Sequence, residues 1–255
     1  MSKLPIEHRF LDLSDYGRPI ARQIANALKN TRVTPVQVTL LFIVTGLAAI
    51  LCIIAAQYWA ALFFLVVKSI LDAADGELAR VKNTPSYTGR YLDSVADIIL
   101  NFFFLLSIWY ITDGPLLLML VAFFGLQLQG TLYNYYYVIL RNKVNGDKTS
   151  RVFEHASPVA MAGEQQRHVD ILFSAYYILY GGFDKIIFWL DKKAPACDHM
   201  PKLLMTAVSS FGLGFQLLLM GVMLCLGWAS YIIPFFIFYT VFILVFIMIR
   251  RIANS

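Results

Sequence analysis

Charged residues are absent from three long stretches of the chain, residues 33–67, 114–140 and 203–249, which run 35, 27 and 47 positions. A helix that crosses a bilayer needs about 20 apolar residues, so the third stretch holds two spans and the second holds one. The first is too long for one helix and too short for two. Its second helix therefore continues through Lys68, Asp72 and Asp75 to about Arg80, after a turn at Gln57 to Trp59. A third helix is predicted from near Tyr91 to near Asp113 and a fourth back to Arg141. The last two turn near Gly227 and Trp228, giving six spans. Between Arg141 and the last pair, residues 142–201 are mostly polar. Their apolar part, Ile171 to Leu190, is interrupted by Gly181, Gly182, Asp184 and Lys185 and reads as two short interfacial helices lying on the membrane surface. Pro19 to Lys29 reads as an N-terminal amphipathic helix. Proline suits a first turn, and Ile20, Ile24 and Leu28 recur at helical spacing.

Composition agrees with an all-α integral membrane protein. Of 255 residues 59% are hydrophobic and 15% charged, against about a quarter charged in soluble domains. Cys52, Cys197 and Cys225 are odd in number and scattered, which points to neither a disulfide framework nor a zinc site. The first apolar run starts too late for a signal peptide and lacks a small-residue cleavage site. Basic residues stay on the cytoplasmic side of a bilayer, and 20 of the 21 Lys and Arg fall in segments on one side of the predicted spans. Both termini are thus expected in the cytoplasm. The chain divides into a cytoplasmic amphipathic segment (1–32), helices 1 to 4 (33–141), a cytoplasmic and interfacial insertion (142–201) and helices 5 and 6 (202–255).

The exceptions to the charge deficit carry the chemistry. Helix 2 bears Asp72 and Asp75, and helix 3 bears Asp93 and Asp97; spacings of three and four put each pair on one helical face. At 1.5 Å per residue, Asp75 and Asp72 lie roughly 8 and 12 Å in from Arg80, and Asp93 and Asp97 roughly 3 and 9 Å in from Tyr91. Insertion scales put a central Asp at about 2.5 to 3.5 kcal/mol, so four would cost on the order of 10 kcal/mol if nothing neutralised them. Carboxylates without Cys or His suit a hard divalent cation, magnesium, calcium or manganese, and four exceed what one ion takes from protein, which suggests two. Gly76 and Ala79 leave helix 2 thin beside the site, Gly89 does the same on helix 3, and Arg80 offers a fork matched to phosphate. Lys68, one turn from Asp72, balances the carboxylates or meets a phosphate. On helix 4, Gln127, Thr131 and Asn134 share a face and are candidates for acceptor contacts or for interhelical hydrogen bonds.

At these positions the sequence resembles the CDP-alcohol phosphotransferase family. Its signature, D-x-x-D-G-x-x-A-R, eight residues, then G-x-x-x-D-x-x-x-D, is present as Asp72, Asp75, Gly76, Ala79, Arg80, Gly89, Asp93 and Asp97. The resemblance implies six transmembrane helices, a homodimer, and an active site at the cytoplasmic ends of helices 2 and 3. It implies that Asp72, Asp75 and Asp93 ligate two magnesium or manganese ions, and that Asp97 completes the site and acts as the base. Gly76, Ala79, Arg80, Ser86 and Gly89 would meet the CDP-linked donor. Helix 1 of the family starts with a P-N-x-x-T-like motif. Here Pro35 and Thr39 fit, with Gln37 between them, which implies donor contacts from Thr39 and Gln37, but Val36 replaces the Asn.

The implied reaction is phospholipid synthesis: an acceptor hydroxyl attacks the β-phosphorus of the donor and CMP leaves. The leading expectation is CDP-diacylglycerol as donor and a small polar alcohol, such as an inositol phosphate, as acceptor. An alternative has a soluble CDP-choline or CDP-ethanolamine donating to diacylglycerol or a similar lipid alcohol. A cation or proton-coupled transporter is the reading from another class, because intramembrane acids mark ion paths. Membrane lipids are the expected surroundings, and no nucleic-acid partner is expected.

Overall fold

The computed structural model describes residues 4–143, 156–197 and 199–254, so residues 144–155 of the polar connection lie outside the described residues. Among the described residues there is no strand. The helices run α1 (Arg18–Leu28), α2 (Pro35–Ile54), α3 (Tyr58–Lys82), α4 (Tyr87–Thr112), α5 (Leu116–Lys143), α6 (Gln166–Leu190), α7 (Lys202–Val208), α8 (Leu213–Cys225), α9 (Ala229–Tyr239) and α10 (Phe242–Ile252). Among the described residues, five helical stretches are long and apolar enough to cross a membrane: α2, α4, α5, α6, and α9 with α10 taken together. The pair containing α7 and α8, bent by 55°, also passes when taken as one. Any 18-residue window of α3 includes at least three charged residues, so α3 does not pass. It nevertheless packs along α2, α1 and α8.

Local chemistry sets the boundaries. Thr34 and Gln37 form a capping box at the start of α2, with Pro35 in the first turn. Asn83 ends α3 in the left-handed conformation. Ser86 then caps α4, its Oγ accepting from the Gly89 amide at 2.8 Å. That cap starts α4 at Tyr87, one turn before the predicted Tyr91. The short link between α3 and α4 brings the two pairs of aspartates to one end of the bundle.

The connection departs from expectation. Ile171 to Leu190 forms one continuous helix with the five residues before it, not two pieces. A glycine in a helix costs about 1 kcal/mol against alanine, and packing outweighs Gly181 and Gly182. Val169 and Ile187 are fully buried, Phe173 and Tyr176 meet Tyr91 of α4, and Phe183 meets Phe124 of α5. Both ends of α6 reach chain segments predicted to lie on one side of the membrane. Glu164, just before it, bonds the first turn of α4, and Asp191, just after it, pairs with Arg250 near the end of α10.

The N-terminal residues also differ from a simple surface segment. In α1 it is Ala21 and Ala25 that are fully buried, while Ile20 is half exposed. Ahead of α1 the chain threads into the bundle as a strap: Leu13 N donates to Ser209 Oγ at 2.9 Å, and Phe10 packs edge-on against Tyr137. Ser14 fits against Gly214 at the start of α8, where a Cβ would stand 2.9 Å from Ser69 Oγ and 3.1 Å from the Ser14 carbonyl carbon. Because the obstruction includes backbone, Gly214→Ala is expected to destabilise the protein by about 1–3 kcal/mol through overpacking. Thermal unfolding in detergent reads this out; an unchanged melting temperature would show that the strap is not seated there.

Candidate active site

A cavity of about 1010 Å³ opens between α3, α4 and α5, with Pro35 and Thr39 of α2 on its edge. That size is at the top of the range for small-molecule sites. Asp72, Asp75, Asp93 and Asp97 all line it, as do Gly76, Ala79, Arg80, Ser86, Gly89, Gln127, Thr131 and Asn134. Gln37 does not. It is exposed, and its side chain is used in the capping box of α2, where Oε1 accepts from Thr34 N at 2.9 Å.

Asp72, Asp75 and Asp93 each offer a carboxylate oxygen, and the three oxygens lie within 4.8 Å of one another. Like charges at this spacing repel in a low dielectric unless a cation joins them. Asp93 Oδ1 is buried and has no hydrogen-bond partner among the described residues, the condition a bound cation would relieve. Thr39 lines the same cavity and donates its hydroxyl to Asp75 Oδ2 at 2.7 Å, which orients that carboxylate. Asp97 stands apart from the trio. Its carboxylate is held by the ammonium of Lys68, which also bonds Asp72 at 3.0 Å and lies 4.5 Å from the centre of the Phe42 ring. Lys68 is fully buried, so the position balances the acids from inside the bundle.

The phosphate-matched fork is held in place as well. Glu77, almost wholly buried, accepts from Arg80 at 3.2 Å and from Arg18 of α1 at 2.6 Å. A Cβ on Gly76 would meet only the Arg80 guanidinium, at 3.6 Å, so the missing side chain leaves space beside the fork. Burial alone would lower the Arg18 pKa, but Asp15 and Glu77 raise it above its usual value, which keeps this strut charged. Sequence spacing does not reveal Glu77 as the strut, because its partner Arg18 is 59 residues away.

The connection supplies a further piece with no signal in the sequence. Glu164 accepts from Ser86 Oγ at 2.6 Å, from the Thr88 amide at 2.8 Å, from the Tyr87 amide at 3.2 Å and from Met161 N at 3.1 Å. Burial would raise its carboxyl pKa, but these donors, led by the Ser86 hydroxyl, hold it below its usual value. Met161, Tyr176, Tyr180 and Asp184 then wall the cavity, with Tyr180 donating to the Ser94 carbonyl at 3.0 Å.

The profile of the CDP-alcohol phosphatidyltransferase family matches residues 32–190. The chain belongs to this family. Among curated proteins it is similar to the "Bifunctional IPC transferase and DIPP synthase" of Archaeoglobus fulgidus, with 33% identity over 109 residues. That alignment takes in 43% of the chain and 22% of the relative, so it spans about a fifth of the relative's length. The part matched to the CDP-alcohol phosphatidyltransferase family contains all four aspartates, Lys68, Arg80 and Glu164. The strap before α1 and helices α7 to α10 lie outside it, although residues from both line the cavity.

Proposed function

We propose that the chain transfers a substituted phosphate from a CDP-linked donor to an alcohol, with phosphatidyl from CDP-diacylglycerol passing to a small polar alcohol such as an inositol phosphate. The observation that carries this reading is the trio Asp72, Asp75 and Asp93 gathered in one cavity beside the held fork of Arg80. These three, with Asp97, would hold one or two divalent cations, and the donor set of hard oxygens suits magnesium or manganese. Bound there, such ions supply charge stabilisation at the pyrophosphate oxygens.

The residues divide the remaining work. Arg80 binds a donor phosphate, and the space left by Gly76 admits it near the backbone. Lys68 and Thr39 orient Asp97 and Asp75. Asp97 takes the proton from the acceptor hydroxyl as its oxygen bonds the β-phosphorus. The bond from that phosphorus to the bridging oxygen breaks, and CMP leaves with the electron pair.

The topology proposed with this function has six spans: α2, α3, α4, α5, α7 with α8, and α9 with α10. The cavity mouth and both termini then face the cytoplasm. Twenty-five residues make α3 about 37 Å long, enough to cross; Asp72, Asp75 and Arg80 line the cavity, and Lys68 and Glu77 are paired inside the bundle. The meeting of both α6 ends with that side favours α6 as an interfacial wall.

A screen of CDP-linked donors against alcohols in lipid nanodiscs, read as CMP, tests the reading. CMP release that requires CDP-diacylglycerol and a water-soluble alcohol is expected, together with its loss on chelation and return with magnesium or manganese. Release only from CDP-choline or CDP-ethanolamine with diacylglycerol would reverse the lipid's role. Turnover that survives exhaustive chelation would sink the metal assignment.

A further inference from the structure

The face of α5 that lines the cavity includes Gln127, Thr131 and Asn134, about 10 Å from first to last along the helix. Two of these groups are unusual. Gln127 and Thr131 are 4% and 6% exposed, and Gln127 Nε2 and Thr131 Oγ1 have no hydrogen-bond partner among the described residues. Leaving a buried polar group unsatisfied costs about 1–3 kcal/mol, so two on one cavity wall point to a ligand that satisfies them.

The strap lines the same cavity. Asp12 Oδ2 accepts from Tyr133 Oη at 2.5 Å, and Asp12 Oδ1 accepts from Ser14 N at 3.1 Å and Ser14 Oγ at 2.8 Å. Both Asp12 oxygens are thus engaged with the wall itself. What Gln127 and Thr131 leave unsatisfied is an amide N–H and a hydroxyl, and the amide donor is one that an ammonium group, itself only a donor, cannot satisfy. Those groups match hydroxyl oxygens of a ligand, and the anchors of the strap on Ser209, Gly214 and Tyr133 keep the wall rigid.

We propose that the strap residues Asp12 and Ser14, with Gln127 and Thr131 of α5, form a specificity subsite for an acceptor bearing at least two hydroxyls. One hydroxyl reacts at Asp97 while another is bound by the amide of Gln127 and the hydroxyl of Thr131. Asp12 is a positioning residue: it holds Tyr133 and Ser14 in the wall. The proposal rests on the transferase reading above. It adds that polyhydroxy alcohols are preferred over amino alcohols and over lipid alcohols with a single hydroxyl.

The test uses the full-length protein in nanodiscs with CDP-diacylglycerol. Its acceptors are glycerol, myo-inositol and inositol 1-phosphate on one side and ethanolamine, choline and serine on the other. Thr131→Val and Gln127→Leu are expected to raise acceptor KM about tenfold while donor KM stays within about twofold, since each removes one bond to the acceptor only. Asp12→Asn is expected to weaken the polyhydroxy acceptor less than Asp12→Ala, because the amide still accepts from Tyr133. Melting temperatures separate these effects from misfolding, and Ser14→Ala provides a second, smaller lesion in the same wall. Comparable use of single-hydroxyl acceptors would overturn the subsite, as would unchanged acceptor KM in Thr131→Val and Gln127→Leu at full stability, even with CMP release intact. No CMP from any donor and acceptor pair would overturn the transferase reading, and the subsite with it.

Discussion

Asp97→Asn is expected to lower CMP release by about 10²- to 10⁴-fold, the range over which a positioned general base acts. The amide keeps the shape of the carboxylate and can still accept from Lys68, but it cannot take the acceptor's proton. Asp97 lies one turn beyond Asp93 on the same face of α4, outside the trio of close carboxylate oxygens. The fall should therefore appear chiefly in kcat, with a smaller rise in donor KM than Asp72, Asp75 or Asp93 variants show. Turnover within about threefold of the parent protein would remove Asp97 from the role of base. Ion flux in liposomes gives the contrasting outcome: flux abolished by Asp97→Asn while CDP-donor turnover persists would favour a transporter.

The largest loss of stability is expected outside the cavity lining, at Asp191. This residue is fully buried and accepts from Arg250 Nε at 2.8 Å, from a second Arg250 nitrogen and from Tyr136 Oη at 2.7 Å. Its carbonyl accepts from Tyr135 at 3.1 Å, so one residue ties the end of α6 to α5 and α10. Asp191→Ala strands a guanidinium that is 3% exposed. Breaking a buried pair from one side costs about 3–5 kcal/mol, whereas replacing both partners with apolar groups is often neutral. Thermal unfolding should show a large drop for Asp191→Ala and substantial recovery in the double variant Asp191→Leu, Arg250→Met. A small drop, or no recovery, would mean that solvent reaches Arg250 and the pair is not a tie.

The four aspartates were legible in the sequence because each pair is local, three or four residues apart on one helix, in a chain with few other intramembrane charges. The placement of Lys68 among them follows from the same spacing. Gln127, Thr131 and Asn134 were recognisable as one face of a helix, though not as a face with unsatisfied groups. Glu77 and Glu164 carried no such mark. Glu77 has a local partner in Arg80, but its tie to Arg18 and the bond of Glu164 to Ser86 span 59 and 78 residues, and no periodic pattern encodes a bond of that range. The continuity of α6 was hidden for a related reason: local glycines and charges argue for a break, and only packing against α4 and α5 overrides them.

The sequence by itself determined the membrane-embedded helical architecture, the family signature and the class of chemistry, because hydrophobic length, charge placement and helical spacing are properties of contiguous residues. Only the tertiary structure decided that Lys68 bridges Asp97 of α4 to Asp72 of α3, with Asp97 outside the trio of close carboxylate oxygens. It alone seated the N-terminal strap in the cavity and made α6 a wall of the site. Each of these depends on which distant surfaces can bury one another and satisfy their polar groups at the same time, a condition met only by the folded chain as a whole.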